Sequence, residues 1–95
     1  MVKRYLTKGV MNEIPSEIQL LCWECYDQVR QRDSYDYLQV FELRRVGVDI
    51  QEIEHRQEVP RCQQVYYVHC KSPLQQKIYI IEEVDTALMM LAEEY

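Results

Sequence analysis

The chain has 95 residues, with 11 lysines and arginines against 16 aspartates and glutamates, a formal net charge of −5. That length predicts a single domain, residues 1–95, able to close one core without staples. Acidity speaks against generic nucleic-acid binding, because such a surface gains nothing from counterion release on a phosphate backbone, and the scarcity of glycine (2) and proline (3) speaks against disorder.

The opening "KRYLTKGV" reads as a short strand closed by Gly9, with Tyr5 and Leu6 on opposite sides. In "NEIPSEIQ" Pro15 suits a first helical turn, and Ser16 with Gln19 has capping-box spacing, so a helix is predicted from about Pro15 to Arg32. At 100° per residue Ile18, Leu21, Cys22, Cys25, Tyr26 and Val29 form one apolar stripe, the face expected to pack on the core. From Tyr37 the period changes to two in "YLQVFELRR", and "VGVD" around Gly47 reads as a turn.

"IQEIEHRQE" is a more polar strand, expected at an edge of the sheet. "CQQVYYVHC" alternates, with Cys62, Gln64, Tyr66, Val68 and Cys70 on one face, and "KSPLQQ" supplies a loop. "KIYIIEE" is the most apolar strand and belongs in the middle. Short connections favour antiparallel neighbours. The last stretch, "VDTALMMLAEEY", admits a short helix capped by Asp85 or a final strand, with helix preferred. The expected fold class is therefore α+β: one amphipathic helix packed on a four- or five-stranded antiparallel meander sheet.

The longest apolar run, "ALMMLA" from Ala87 to Ala92, is far short of the roughly 20 residues that cross a bilayer, so no membrane partner is expected. "MVKRYLTKG" lacks the apolar stretch of a secretory signal, and the cytosol is the expected compartment, with four reduced cysteines.

Chemistry is sparse. The pair Cys22 and Cys25 flanks the chain's sole tryptophan, but it lies mid-helix, beyond the turn in which a helix dipole favours a thiolate, and Glu24 and Asp27 oppose one. A zinc site using Cys22 and Cys25 with Cys62 or Cys70 is the metal alternative. Along a continuous strand, Cys62 and Cys70 stand roughly 26 Å apart at about 3.3 Å per residue, too far to grip one ion. No cofactor is expected, and the cysteines read as small buried apolar residues. In "EIEHRQE", Glu52, Glu54, Arg56 and Glu58 share one strand face and His55 the other, which reads as a solvated face. No Gly-rich phosphate loop, nucleophile elbow or HExxH occurs, so an enzyme is not expected.

Leu20 and Trp23 fall well away from the helix stripe, beside Asp27 and Arg30. An exposed apolar pair with a polar rim has hot-spot composition, so these four residues are the candidate contact site for a protein partner, and the acidic carboxyl-terminal segment is a second surface. The expected function is a non-enzymatic, cytosolic protein-binding module. Two readings stand beside it: a zinc or thiol-redox protein, and an acidic nucleic-acid mimic that inhibits a DNA-binding protein.

With "IPSEIQ", "YLQVFEL" and the terminal "LAEEY", the chain resembles a family of small uncharacterised proteins from low-GC Gram-positive bacteria, often carried by phages and other mobile elements. The resemblance runs over nearly the whole chain and implies no reaction and no site residue. It implies a setting in which the protein acts by contact with a host or phage protein, defence nucleases included.

Overall fold

The computed structural model describes residues 2–95 as two layers, a six-stranded sheet with two helices on one of its faces. The elements are β1 (Lys3–Leu6), α1 (Lys8–Glu13), α2 (Ser16–Arg30), β2 (Leu38–Gly47), β3 (Ile50–Gln57), β4 (Cys62–His69), β5 (Gln76–Glu82) and β6 (Thr86–Leu91), followed by a 3₁₀ turn at Ala92–Glu94. Strand order is β1-β6-β5-β2-β3-β4. No helix among the described residues is long and apolar enough to cross a membrane.

This corrects the expected fold class. The sheet has six strands instead of four or five, it is mixed, and it is not a simple meander. β1 runs parallel to β6, pairing Tyr5 with Leu88 and Leu6 with Met89. Short connections dictate antiparallel pairing only for strands that follow one another, and these are the first and the last. β2, β3 and β4 form an antiparallel meander, after which the chain crosses to the far side of β2, and β5 enters the middle of the sheet beside it.

The terminal segment is strand β6, not a helix, and its buried Ala87, Met89, Met90 and Leu91 are fixed by pairing with β5. The helix propensity of "ALMMLA" loses to the partner strand, which satisfies its backbone while Ala87, Met89 and Leu91 pack beneath the helices. Helix α1 has no counterpart in the expected elements. Thr7 caps it through its hydroxyl on the Val10 amide, and Val10 is fully buried. The expected capping box at Ser16 does not form either. Pro15 occupies the N-cap, and Gln19 instead reaches back to the Ile14 carbonyl, 2.8 Å away, tying α2 to α1.

β3 is interior, lying between β2 and β4, and β4 is the edge. Gln51 and Gln57 of β3 are buried because they serve as hydrogen-bond partners for loop backbone. Gln51 is fully buried and exchanges two bonds with Leu74, donating to its carbonyl at 3.0 Å and accepting from its amide at 2.7 Å, which pins the β4–β5 crossing. Gln57 accepts from the Asp36 amide at 3.2 Å and donates to the Pro60 carbonyl at 2.7 Å. The turn around Gly47 is present, and the residue in the left-handed region there is Asp49, φ 59°, a residue type that tolerates it.

Alternation along the paired strands defines the two faces. Beneath the helices lie Phe41, Leu43, Ile53, Ile78, Ile80, Met89 and Leu91, which meet Ile18, Cys22, Cys25 and Tyr26 of α2 in the core. The opposite face carries no helix among the described residues.

Candidate functional site

The four residues singled out on α2 do not lie on one open patch. Leu20 is exposed, whereas Trp23 is half-buried and packs against the core. Its ring stands edge-on to Tyr26, with centroids 5.7 Å apart, and the Arg4 guanidinium of β1 lies 4.8 Å above it. Asp27 pairs with the same Arg4, and Arg30 lies 3.4 Å from the Glu82 carboxylate. Tyr35 also donates to Glu82, at 2.7 Å. Three of the four residues are thus engaged by this chain's own strands.

Both helix cysteines point inward. Cys22 is fully buried and Cys25 nearly so, and burial pushes both thiols up, with the neighbouring cysteine adding at Cys22. Cys62 begins β4 and Cys70 follows its last residue; both are half-exposed, and Arg32 donates to the Cys62 Sγ at 3.0 Å. All four are free thiols. Among the described residues, no three His, Cys, Asp or Glu side chains converge as metal ligands would.

His55 faces the helices and is buried, stacked on Phe41 with ring centroids 4.5 Å apart. Its Nε2 lies 2.6 Å from Gln39 Oε1, while Gln39 Nε2 donates to Gln57 Oε1 and to the Asp36 carbonyl, both at 2.8 Å. Burial, with Arg32 assisting, lowers His55 to about 4. It is a neutral member of a buried network that ties β2 and β3 to the segment at Asp36.

What the structure does expose is the other side of the sheet. Cross-strand registers place Leu38 beside Ile81, Ile81 beside Leu88 and Leu88 beside Tyr5, an apolar row across four strands. A second row, Val40, Tyr79 and Met90, lies next to it, with Val40 and Met90 buried among their neighbours. Tyr95 folds over Tyr79 edge-on, centroids 5.7 Å apart, and walls a cleft of about 460 Å³ lined by Tyr5, Ile81, Leu88, Met90 and Tyr95, with Glu83 and Glu94 at its rim. Glu94 is held below the usual carboxylate range by the Thr7 hydroxyl and by backbone amides, so its charge persists into mild acid.

The remaining half of this face is ionic. Arg44 bridges Glu52 at 2.8 Å and Glu54 at 2.9 Å, while Arg56 lies 3.3 Å from Glu42. These pairs match opposite signs across β2 and β3 and leave little net charge for a ligand. The apolar half was missed in the sequence because its residues come from four strands, each of which contributes one or two. The signal was present in "KIYIIEE", where Tyr79 and Ile81 alternate with the core residues Ile78 and Ile80.

A family described as "Staphylococcal protein of unknown function (DUF960)" matches residues 3–94. A solved structure, described as the crystal structure of the protein of unknown function from Enterococcus faecalis, superposes with a TM-score of 0.83. It is 16% identical and covers 99% of this chain and 91% of its own, a likeness of fold. No curated protein matches the sequence.

Proposed function

The chain belongs to the DUF960 family, and we propose that it is a non-enzymatic protein-binding module that acts through the uncovered face of its sheet. The observation that carries this reading is the row Leu38, Ile81, Leu88 and Tyr5, apolar side chains held in register across four strands, with Tyr5 exposed and the other three partly exposed beside a cleft. A half-exposed apolar surface of this kind, walled by tyrosines that present a ring and keep a hydroxyl wet, suits protein contact. The acidic rim of Glu83 and Glu94 favours a partner segment that carries an apolar side chain beside a lysine or arginine. The residues first singled out on α2 contribute less, because Trp23, Asp27 and Arg30 already serve internal contacts.

The reading is tested by affinity purification from a Gram-positive host at two salt concentrations, comparing the natural chain with Leu88→Lys and Leu20→Ala. Retention of the captured protein by Leu20→Ala and its loss with a folded Leu88→Lys is the expected result. Equal capture by Leu88→Lys would overturn the reading.

A further inference from the structure

The two edges of the sheet are finished differently. β1 is four residues long and includes Lys3 and Arg4, features that discourage another strand from adding there. β4 runs eight residues, "CQQVYYVH", with no lysine, arginine, proline, glycine or carboxylate.

The outer backbone of β4 can be read from its inner pairing. The Cys70 amide donates to the Asp49 carbonyl at 2.9 Å, and in an antiparallel ladder both backbone groups of a residue point the same way, alternating along the strand. Gln64, Tyr66, Val68 and Cys70 therefore turn their backbone toward β3. Gln63, Val65, Tyr67 and His69 turn theirs outward, eight N–H and C=O groups for which no partner occurs among the described residues.

We propose that this edge pairs with the β4 edge of a second copy, antiparallel about a two-fold axis, joining two six-stranded sheets into one of twelve. Symmetry and parity leave few registers, because residues opposite each other must lie on the same sheet face. One register satisfies all eight outward groups. It sets Tyr66 opposite Tyr66 of the second copy at the axis, Val65 opposite Tyr67, Gln63 opposite His69, and Cys62 opposite Cys70. On the uncovered face it creates two valine–tyrosine pairs, a favourable cross-strand combination. A net charge of −5 opposes self-association in general, but the paired segment carries no carboxylate, and Glu52 and Glu54 on neighbouring β3 are already matched by Arg44 and Arg56. The assembly would double the platform of the proposed binding face, yet its existence does not depend on that reading.

The experiment is sedimentation equilibrium of the full chain from about 10 μM to 1 mM, a span that covers dissociation constants typical of modest interfaces, together with oxidative trapping by diamide. Each trapped disulfide forms as the Cys62 and Cys70 S–H bonds break, and two protons and two electrons pass to the diamide N=N bond. The opposed positions form a non-hydrogen-bonded pair, whose Cα separation of about 4.5 Å falls within disulfide range. The expected results are a dimer, an intermolecular cross-link abolished by Cys62→Ser or by Cys70→Ser, and at least about tenfold weaker dimerisation in Val65→Lys/Tyr67→Lys. That double variant sets lysines opposite each other, and since both side chains are exposed its circular dichroism and melting should stay native. A monomer throughout the range, a dimer indifferent to the double variant, or a cross-link other than Cys62 to Cys70 would overturn the proposal.

Discussion

The Arg4 guanidinium lies 4.8 Å above the Trp23 ring and pairs with Asp27 one turn further along α2, so a single side chain of β1 fastens that edge strand to the helix. The short parallel strand is held besides by its ladder to β6 and by Leu6 against the core, and Trp23 acts as a structural residue at this seam. Burying about half a tryptophan, together with a cation–π contact worth roughly 0.5–2 kcal/mol, puts the cost of Trp23→Ala at about 2 kcal/mol. Leu20→Ala, at an exposed position, should stay within about 0.5 kcal/mol. Urea denaturation of both variants checks the contrast. Equal stabilities would free the indole and return it to the partner surface expected from the helical wheel.

The same seam shows what periodicity can and cannot deliver. The α2 stripe was legible because Ile18, Cys22, Cys25, Tyr26 and Val29 recur at helical spacing and are all buried. The alternation of Gln63, Val65, Tyr67 and His69 against Cys62, Gln64, Tyr66 and Val68 was legible for the same reason, and "KIYIIEE" does sit inside the sheet. The environment of Trp23 was not legible, since it depends on Arg4, which arrives through a pairing between the first and last strands. β3 was misplaced because burial of Gln51, His55 and Gln57 is made tolerable by partners outside the strand: the Leu74 backbone, the Gln39 side chain of β2, and the backbone of Asp36 and Pro60. β6 was misread because "ALMMLA" has helix formers on every side, and only the strand beside it selects extended backbone.

Gly9 is expected to be intolerant of a side chain. A Cβ there would stand 2.7 Å from Glu94 Oε2 and 2.7 Å from Leu91 Cδ1. The carboxylate could swing aside, but Leu91 is 1% exposed and hemmed in by the core. Alanine gains about 1 kcal/mol of helix propensity over glycine, against about 1–3 kcal/mol for overpacking a core side chain. Gly9→Ala should therefore be net destabilising by about 1 kcal/mol, read as a fall in the urea midpoint at unchanged slope. An increase in stability would mean that Leu91 yields freely.

The burial that raises Cys22 and Cys25 makes a kinetic claim about their thiols. The thiolate is the nucleophile that attacks a disulfide reagent, and neither group can supply one to solvent while the helix is docked. In a Cys62→Ser/Cys70→Ser variant at pH 8, labelling should be slow and governed by opening of the fold, accelerating as urea is added. Rapid labelling of either thiol in the native state would contradict the packing of α2.

His55 ties stability to pH. Its folded-state value of about 4 lies below the ordinary histidine value of about 6.5, so the unfolded chain binds the extra proton first as pH falls. Neutral His55 therefore contributes fully above about pH 6.5, and its contribution is lost progressively between about 6.5 and 4, reaching about 3 kcal/mol if the whole shift is expressed. Protonation would also leave a charge between Phe41 and Gln39, with Arg32 the neighbouring cation that opposes it. Replacing His55 by glutamine removes the titrating group at that position. The difference in unfolding free energy between natural chain and His55→Gln should narrow, or change sign, as pH falls from 7 to 5. A difference independent of pH across that interval would show that His55 remains as easily protonated in the fold as out of it.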